Sequence, residues 1–165
     1  MYYINNFFMY AILGHIVETI FYTMGSGESG ILYGYWTPIY GFGCVFILFM
    51  YDYVITHRKL SKWVENLLIF LTGAIFLTLL EYLAGNLVEY FFDTVFWNYE
   101  NLPLHIGKYI SVEMALVWGV VSLVLIRILR PLFDYVEEKI PKWLTWIFII
   151  LFILDIGSTV YFKVL

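Results

Sequence analysis

Polar and apolar positions in this chain come in blocks. Five apolar runs, Ile4–Met24, Ile39–Ile55, Leu67–Val88, Val112–Leu129 and Trp143–Phe162, are separated by short polar or glycine-rich breaks. About 20 apolar residues cross the hydrocarbon core of a bilayer as a helix, so each run predicts one transmembrane helix. The breaks differ in kind. Residues 25–30, Gly-Ser-Gly-Glu-Ser-Gly, read as a flexible turn, and residues 57–62, His-Arg-Lys-Leu-Ser-Lys, as a basic loop. Pro131 and Pro141 bracket a mixed acidic and basic connector. The expectation is an all-α integral membrane protein: a polytopic bundle of about five transmembrane helices forming a single domain over residues 1–165.

Composition removes the soluble alternative. The chain is 62% hydrophobic and 13% charged, with a mean hydropathy of +0.83. A water-soluble core of this size could not hide so many apolar side chains. The first run does not read as a secretory signal. No Lys or Arg precedes it, it contains His15 and Glu18, and no small-residue cleavage motif follows. Cys44 is the single cysteine, and the three histidines at 15, 57 and 105 lack a ligand spacing. Neither a metal nor another cofactor is expected, and a net charge of −4 offers nucleic acid nothing.

The basic residues also predict an orientation. Seven of the nine, Arg58, Lys59, Lys62, Arg127, Arg130, Lys139 and Lys142, fall in or beside the second and fourth connections. Only Lys108 and Lys163 fall on the other side. The positive-inside rule then places the N-terminus in the cytoplasm and the C-terminus outside, in a multi-pass protein of the cell membrane. Two connections face outward. Residues 30–43 and 96–109 are rich in aromatic residues and nearly uncharged, with four glycines in the first. They read either as re-entrant, substrate-lining segments presenting Tyr33, Tyr40, Trp97 and Tyr99, or as interfacial aromatic belts.

Five acids lie within or at the ends of the apolar runs: Glu18, Glu81, Glu89, Glu113 and Asp155. A carboxylate in hydrocarbon is costly and marks function unless it is paired. Glu18 falls about 6 Å outward of the middle of the first run at 1.5 Å per residue. His15, Gly14, Ala11 and Tyr22 share its helical face. Ala74, Thr78, Glu81, Gly85 and Glu89 form one small, polar stripe on the third run. Asp155 precedes Ser158 and Thr159 by one turn. Glu18, Glu81 and Asp155 fall at similar depth, with Glu89 and Glu113 nearer the outer ends. The functional reading is an acidic site toward the outer leaflet. The structural reading makes Glu18 and Glu81 a buried pair, Asp155 a hydrogen-bonded fastener, and Glu89 and Glu113 solvated interfacial groups.

Several short motifs then occur together: Gly14-His-Ile-Val-Glu18, Gly30-Ile-Leu-Tyr-Gly34, Pro38-Ile-Tyr-Gly-Phe-Gly43, Leu80-Glu-Tyr-Leu-Ala-Gly85, Trp97-Asn-Tyr99 and Leu116-Val-Trp-Gly119. In this order they resemble the bacterial membrane family described as Putative ABC-transporter type IV, or CmpB-like. The resemblance covers about residues 5–135. The fifth helix, about residues 142–163 and carrying Asp155, lies outside it. Glu18, Glu81, Trp97 and Tyr99 match the family pattern, whereas His15 and Asn98 stand where members often carry Trp and Asp.

The resemblance implies a transporter-like permease. The chain has no G-x-x-x-x-G-K-[ST] loop, so an ATPase would be a separate subunit. The residues themselves fit an outer site of Glu18, Glu81, His15, Trp97, Tyr99, Glu113, Asp155, Tyr33 and Tyr40 for a cationic or amine-bearing solute or a lipid head group. A non-transporting scaffold, sensor or partner subunit is the main alternative. An intramembrane lipid-modifying enzyme is a further one, disfavoured because no nucleophile or phosphate-binding arginine accompanies the acids, so no enzyme activity is expected. Membrane lipids are the expected surroundings. Five short helices and a small-residue stripe also predict a homodimer or hetero-oligomer.

Overall fold

The computed structural model describes residues 1–23 and 30–163. The predicted turn at 25–30 therefore lies, apart from Gly30, outside the described residues. Helix α1 spans Tyr2–Thr23. Helix α2, Pro38–Met50, continues through a π-turn, Tyr51–Ile55, and a 3-10 turn, Thr56–Arg58. Helix α3 spans Lys62–Phe92. A two-stranded antiparallel hairpin follows, β1 His105–Ile106 against β2 Ile110–Ser111, turning at Gly107 with φ of 64°. Helix α4, Val112–Val124, passes through a second π-turn, Leu125–Leu129, into α5, Arg130–Glu137. Helix α6, Lys142–Lys163, is the last.

Among the described residues, four continuous rods are long and apolar enough to cross a membrane: Pro38–Arg58, Lys62–Phe92, Val112–Glu137 and Lys142–Lys163. Helix α1 has similar length, 22 residues, but carries Asn5, Asn6, His15 and Glu18. The rods are longer than the apolar runs, because charged and amide residues at their ends continue the helical hydrogen bonding.

The connector expected to begin at Pro131 is instead helical as far as Glu137. A proline within a helix lacks the N–H for the carbonyl four residues back, and its ring presses on that carbonyl. Here that carbonyl belongs to Arg127, inside the π-turn, where wider spacing relieves the conflict. The break moves to residues 138–141. The segment 96–109, read from the sequence as re-entrant or as an aromatic belt, holds the hairpin; Tyr99 N–H bonds Lys108 O at 2.8 Å and Val112 N–H bonds Leu104 O at 3.0 Å.

Polarity is inverted relative to a soluble protein. Ile75, Leu79, Leu83, Leu87, Val120, Ile150 and Leu154 are exposed, whereas Asn6, Glu81, Ser122, Thr145, Asp155 and Thr159 are buried. Such a surface suits hydrocarbon, with polar groups turned to protein partners. The chain is a membrane protein.

It forms two compact units. The first comprises Met1–Val45 and Phe133–Leu165. Phe8, Ala11 and Trp36 form its core, with Phe148 and Phe152 packed on them. At one end of this unit Tyr2 donates to Asp134 at 2.8 Å, and Asn5 bonds both Glu137 (2.8 Å) and Thr145 (2.6 Å). The second unit is Phe46–Leu132. There α3 and α4 meet at Gly73, where a β-carbon would collide with Ser122, and at Gly119, where it would collide with the Phe70 ring. Close approach through small residues is the usual way helices associate in lipid. Phe46 and Phe76 stack with ring centroids 3.4 Å apart.

Candidate functional site

The predicted site residues divide between the units. Glu18, His15, Tyr33, Tyr40 and Asp155 belong to the first; Glu81, Trp97, Tyr99 and Glu113 to the second.

In the first unit Asp155, on α6, is buried and holds the segment before α2. Its carboxylate accepts the backbone N–H of Tyr33 and of Gly34, each at 2.9 Å, and the indole N–H of Trp36 at 2.7 Å. The Thr159 hydroxyl lies 3.5 Å away. Three N–H donors on one carboxylate make an anchor for residues 33–36. The segment is held further by Lys163, which donates to Ile31 O at 2.7 Å and lies over the Tyr33 ring. Tyr33 thus meets Asp155 through its backbone, and its half-exposed ring meets Lys163. Tyr40 packs its ring on Gly14, where a β-carbon would collide with it.

Glu18 differs. It is half-buried, and among the described residues its carboxylate accepts one neutral donor, the Thr37 hydroxyl, at 2.9 Å on Oε2. That hydroxyl lies 3.4 Å from His15 Nδ1, and the His15 ring touches Tyr35, which is 81% exposed. Thr37 is fixed in turn by its own N–H, bonded to Ala11 O at 3.0 Å. Glu18, Thr37 and His15 therefore form a small polar cluster with one carboxylate oxygen, Oε1, open to a further donor among the described residues.

In the second unit Glu81, 7% exposed, accepts the Tyr99 hydroxyl at 2.5 Å on one oxygen and the Trp118 indole N–H at 2.7 Å on the other. This fastens the segment before the hairpin, and α4, to α3. One turn on, Gly85 admits the Tyr109 ring, and one more turn on, Glu89 accepts the Tyr109 hydroxyl at 2.8 Å and pairs with Lys108. Burial, then the bond to Glu89 and its charge, push the Tyr109 phenol up to about 12. The hydrogen bond and charge of Glu89 hold the Lys108 ammonium above its ordinary value. The polar stripe read from the sequence is thus the seam that receives the hairpin. Trp97 packs edge-on against Tyr109. Glu113 accepts Leu104 N–H at 3.1 Å.

At the opposite end of the second unit a charged network joins the two π-turns with the start of α3. Arg127 donates to Glu65 and to Asn66 Oδ1, both at 2.7 Å, and its guanidinium lies over the Tyr51 ring. Arg130 pairs with Asp52 at 2.6 Å. In the sequence these arginines stand out only by their charge. A signal was present, since Asp52, Glu65, Arg127 and Arg130 all lie at the ends of apolar runs. The donors Trp36, Thr37, Trp118 and Tyr109 also went unselected, although each sits in or beside one of the aromatic connections or a quoted motif. Among the described residues no group of His, Cys, Asp and Glu is arranged to hold a metal ion.

Comparison with curated proteins and with solved structures found no match. The family described as Putative ABC-transporter type IV matches residues 5–160. That extends the sequence-based resemblance, which stopped near 135, through the last helix and Asp155. Both carboxylate anchors and the Glu18 cluster lie inside the matched region, and the chain belongs to this ABC-transporter-related membrane family.

Proposed function

We propose that the chain is the membrane-embedded, permease-type subunit of a transport assembly, with an acidic outer site for an amine or other cation centred on Glu18. The observation that carries this reading is the contrast among its acids in the apolar helices. Asp155 and Glu81 have both oxygens engaged by neutral protein donors, whereas Glu18 has one oxygen held by Thr37 and the other, among the described residues, open. An ammonium group placed there would supply the missing charge and donor together, and His15 and the Tyr35 ring border the same cluster. Family membership and the lack of an ATP-binding loop favour a separate energy-supplying subunit. No chemistry is assigned to the chain itself. Assembly as a homodimer or with a second subunit fits the apolar surface and the glycine-lined helix contacts.

The second reading is a non-transporting partner subunit, in which all the carboxylates are fasteners. The saturation of Asp155 and Glu81 is the observation on its side. Ethanolamine and tetramethylammonium, titrated into the detergent-purified protein, separate the two. The permease reading expects a concentration-dependent rise in melting temperature with at least one of them, and a flat response with both supports the fastener reading.

Five crossings with the N-terminus in the cytoplasm remain the proposed topology. What supports it lies in the second unit, taken alone: the basic second connection and Arg127 share one end, and the hairpin occupies the other. A cysteine at Asn101 in a Cys44→Ala background should react with an impermeant thiol reagent on whole cells, and one at Ser61 should not. Labelling of Ser61 alone would reverse the orientation and move the Glu18 site to the cytoplasmic side.

A further inference from the structure

We infer that the second unit carries a binding site for a phospholipid with an anionic head group, in a groove between α3 and α4 at the end that holds the basic residues. The groove measures about 270 Å³ and is lined by Trp63, Asn66, Leu67, Phe70 and Leu123. Four of these recur at spacings of three, one and three along α3, which is one helical face. The Phe70 ring lies across Gly119 and forms the floor, in the space where any larger residue of α4 would put a side chain. Below the rim the lining is apolar: Leu67, Phe70 and Leu123.

The rim is different. Trp63 is 80% exposed and carries an indole N–H. Asn66 accepts two bonds from Arg127 through Oδ1, at 3.0 Å from Nε and 2.7 Å from Nη2. That fixes the amide and leaves its NH2 group as a donor. Lys62, one turn before Asn66, is exposed. Arg127 and Arg130 are matched by Glu65 and Asp52 in ion pairs, and Lys62 has no ion pair among the described residues. Lys62 lies close enough to Glu65 for their charges to act on each other. Lys62, Arg127 and Arg130 against Glu65 and Asp52 therefore leave this rim one net positive charge, with two N–H donors, above an apolar trough.

That combination suits an amphiphile whose head is a phosphate and whose tail is an acyl chain. A helix of a partner protein fits less well, since a specific protein interface needs about 1,000 Å² or more. The membrane's own phospholipid is the occupant to which the geometry points. Its assignment to the cytoplasmic leaflet, where anionic lipids and basic residues meet, rests on the topology proposed above. Binding itself does not.

The test is native mass spectrometry of the full chain in mild detergent, titrated with phosphatidylglycerol or phosphatidylcholine of the same acyl chains. One lysine near an anionic head is worth about fivefold, so phosphatidylglycerol should bind about five times more tightly. Lys62→Gln should bring that ratio close to one. Leu123→Trp should fill the trough and weaken both lipids, and Leu67→Phe, at a half-exposed position, serves if Leu123→Trp does not fold. Equal binding of the two lipids by the native chain, an unchanged ratio in Lys62→Gln, or undiminished binding in the groove-filling variants would each overturn the site. Competition by glycerol 3-phosphate at the lipid's own concentration would reduce it to an ion site and also overturn it. Lys62→Gln leaves Glu18 untouched, so loss of lipid preference with an intact amine response separates this site from the proposed permease site, and Ser61 labelling tests the leaflet independently.

Discussion

Asp155→Ala should lower the melting temperature in detergent by about 10 °C, the largest effect expected of any single acid in the chain. The substitution removes the acceptor for Tyr33 N–H, Gly34 N–H and the Trp36 indole in one step. Orphaned buried donors cost about 1–3 kcal/mol each, and relaxation of the segment brings the sum to about 3–5 kcal/mol. For a chain of this size that corresponds to roughly the stated shift. Asp155→Asn should fall between, because its single carbonyl oxygen can serve part of the donor set while its NH2 opposes the rest. Trp36→Phe removes one donor and leaves two satisfied, so it should cost the least of the three. A ranking with Asn as damaging as Ala would mean that the negative charge, not the acceptor geometry, holds the segment.

The membrane class and most of the helical framework were legible in the sequence because apolar run length alone nearly determines them. Helix ends were not. Lys62 to Asn66 and Glu89 to Phe92 are helical since backbone hydrogen bonding outlasts the apolar run, and no hydropathy signal marks that. The proline at 131 misled because a π-turn upstream absorbs its missing donor, a local geometry that composition does not encode. The hairpin at 105–111 was missed for a similar reason: its strands are two residues each, too short for any periodic pattern.

The candidate site was half legible. The spacing of Glu81, Gly85 and Glu89 correctly placed one stripe, since a helix fixes which side chains share a face. What that stripe receives, Tyr99, Tyr109 and Trp118, depends on how an irregular segment folds back, and no spacing rule gives that. Asp155 and Glu18 looked alike as intramembrane acids. Their difference lies in who donates to them among the described residues: two backbone N–H groups and an indole in one case, one threonine hydroxyl in the other. Backbone donors leave no trace in residue identity, so a fastener and an open carboxylate cannot be told apart by sequence.

The account therefore turns on Glu18 acting differently from Glu81. Replacement by Gln preserves shape and hydrogen-bonding capacity while removing charge, and a neutral amide is cheaper than a carboxylate among apolar surroundings. Glu81→Gln should keep its bond from either Tyr99 or Trp118 and lose at most about 1–2 kcal/mol. Glu18→Gln should fold as well as the native chain or slightly better. The two should part on ligand. The most direct measurement is the ethanolamine- and tetramethylammonium-dependent melting shift of the native protein, Glu18→Gln and Glu81→Gln, recorded side by side. The account predicts a shift in the native chain and in Glu81→Gln that disappears in Glu18→Gln; an undiminished shift in Glu18→Gln, or one abolished by Glu81→Gln instead, would contradict it.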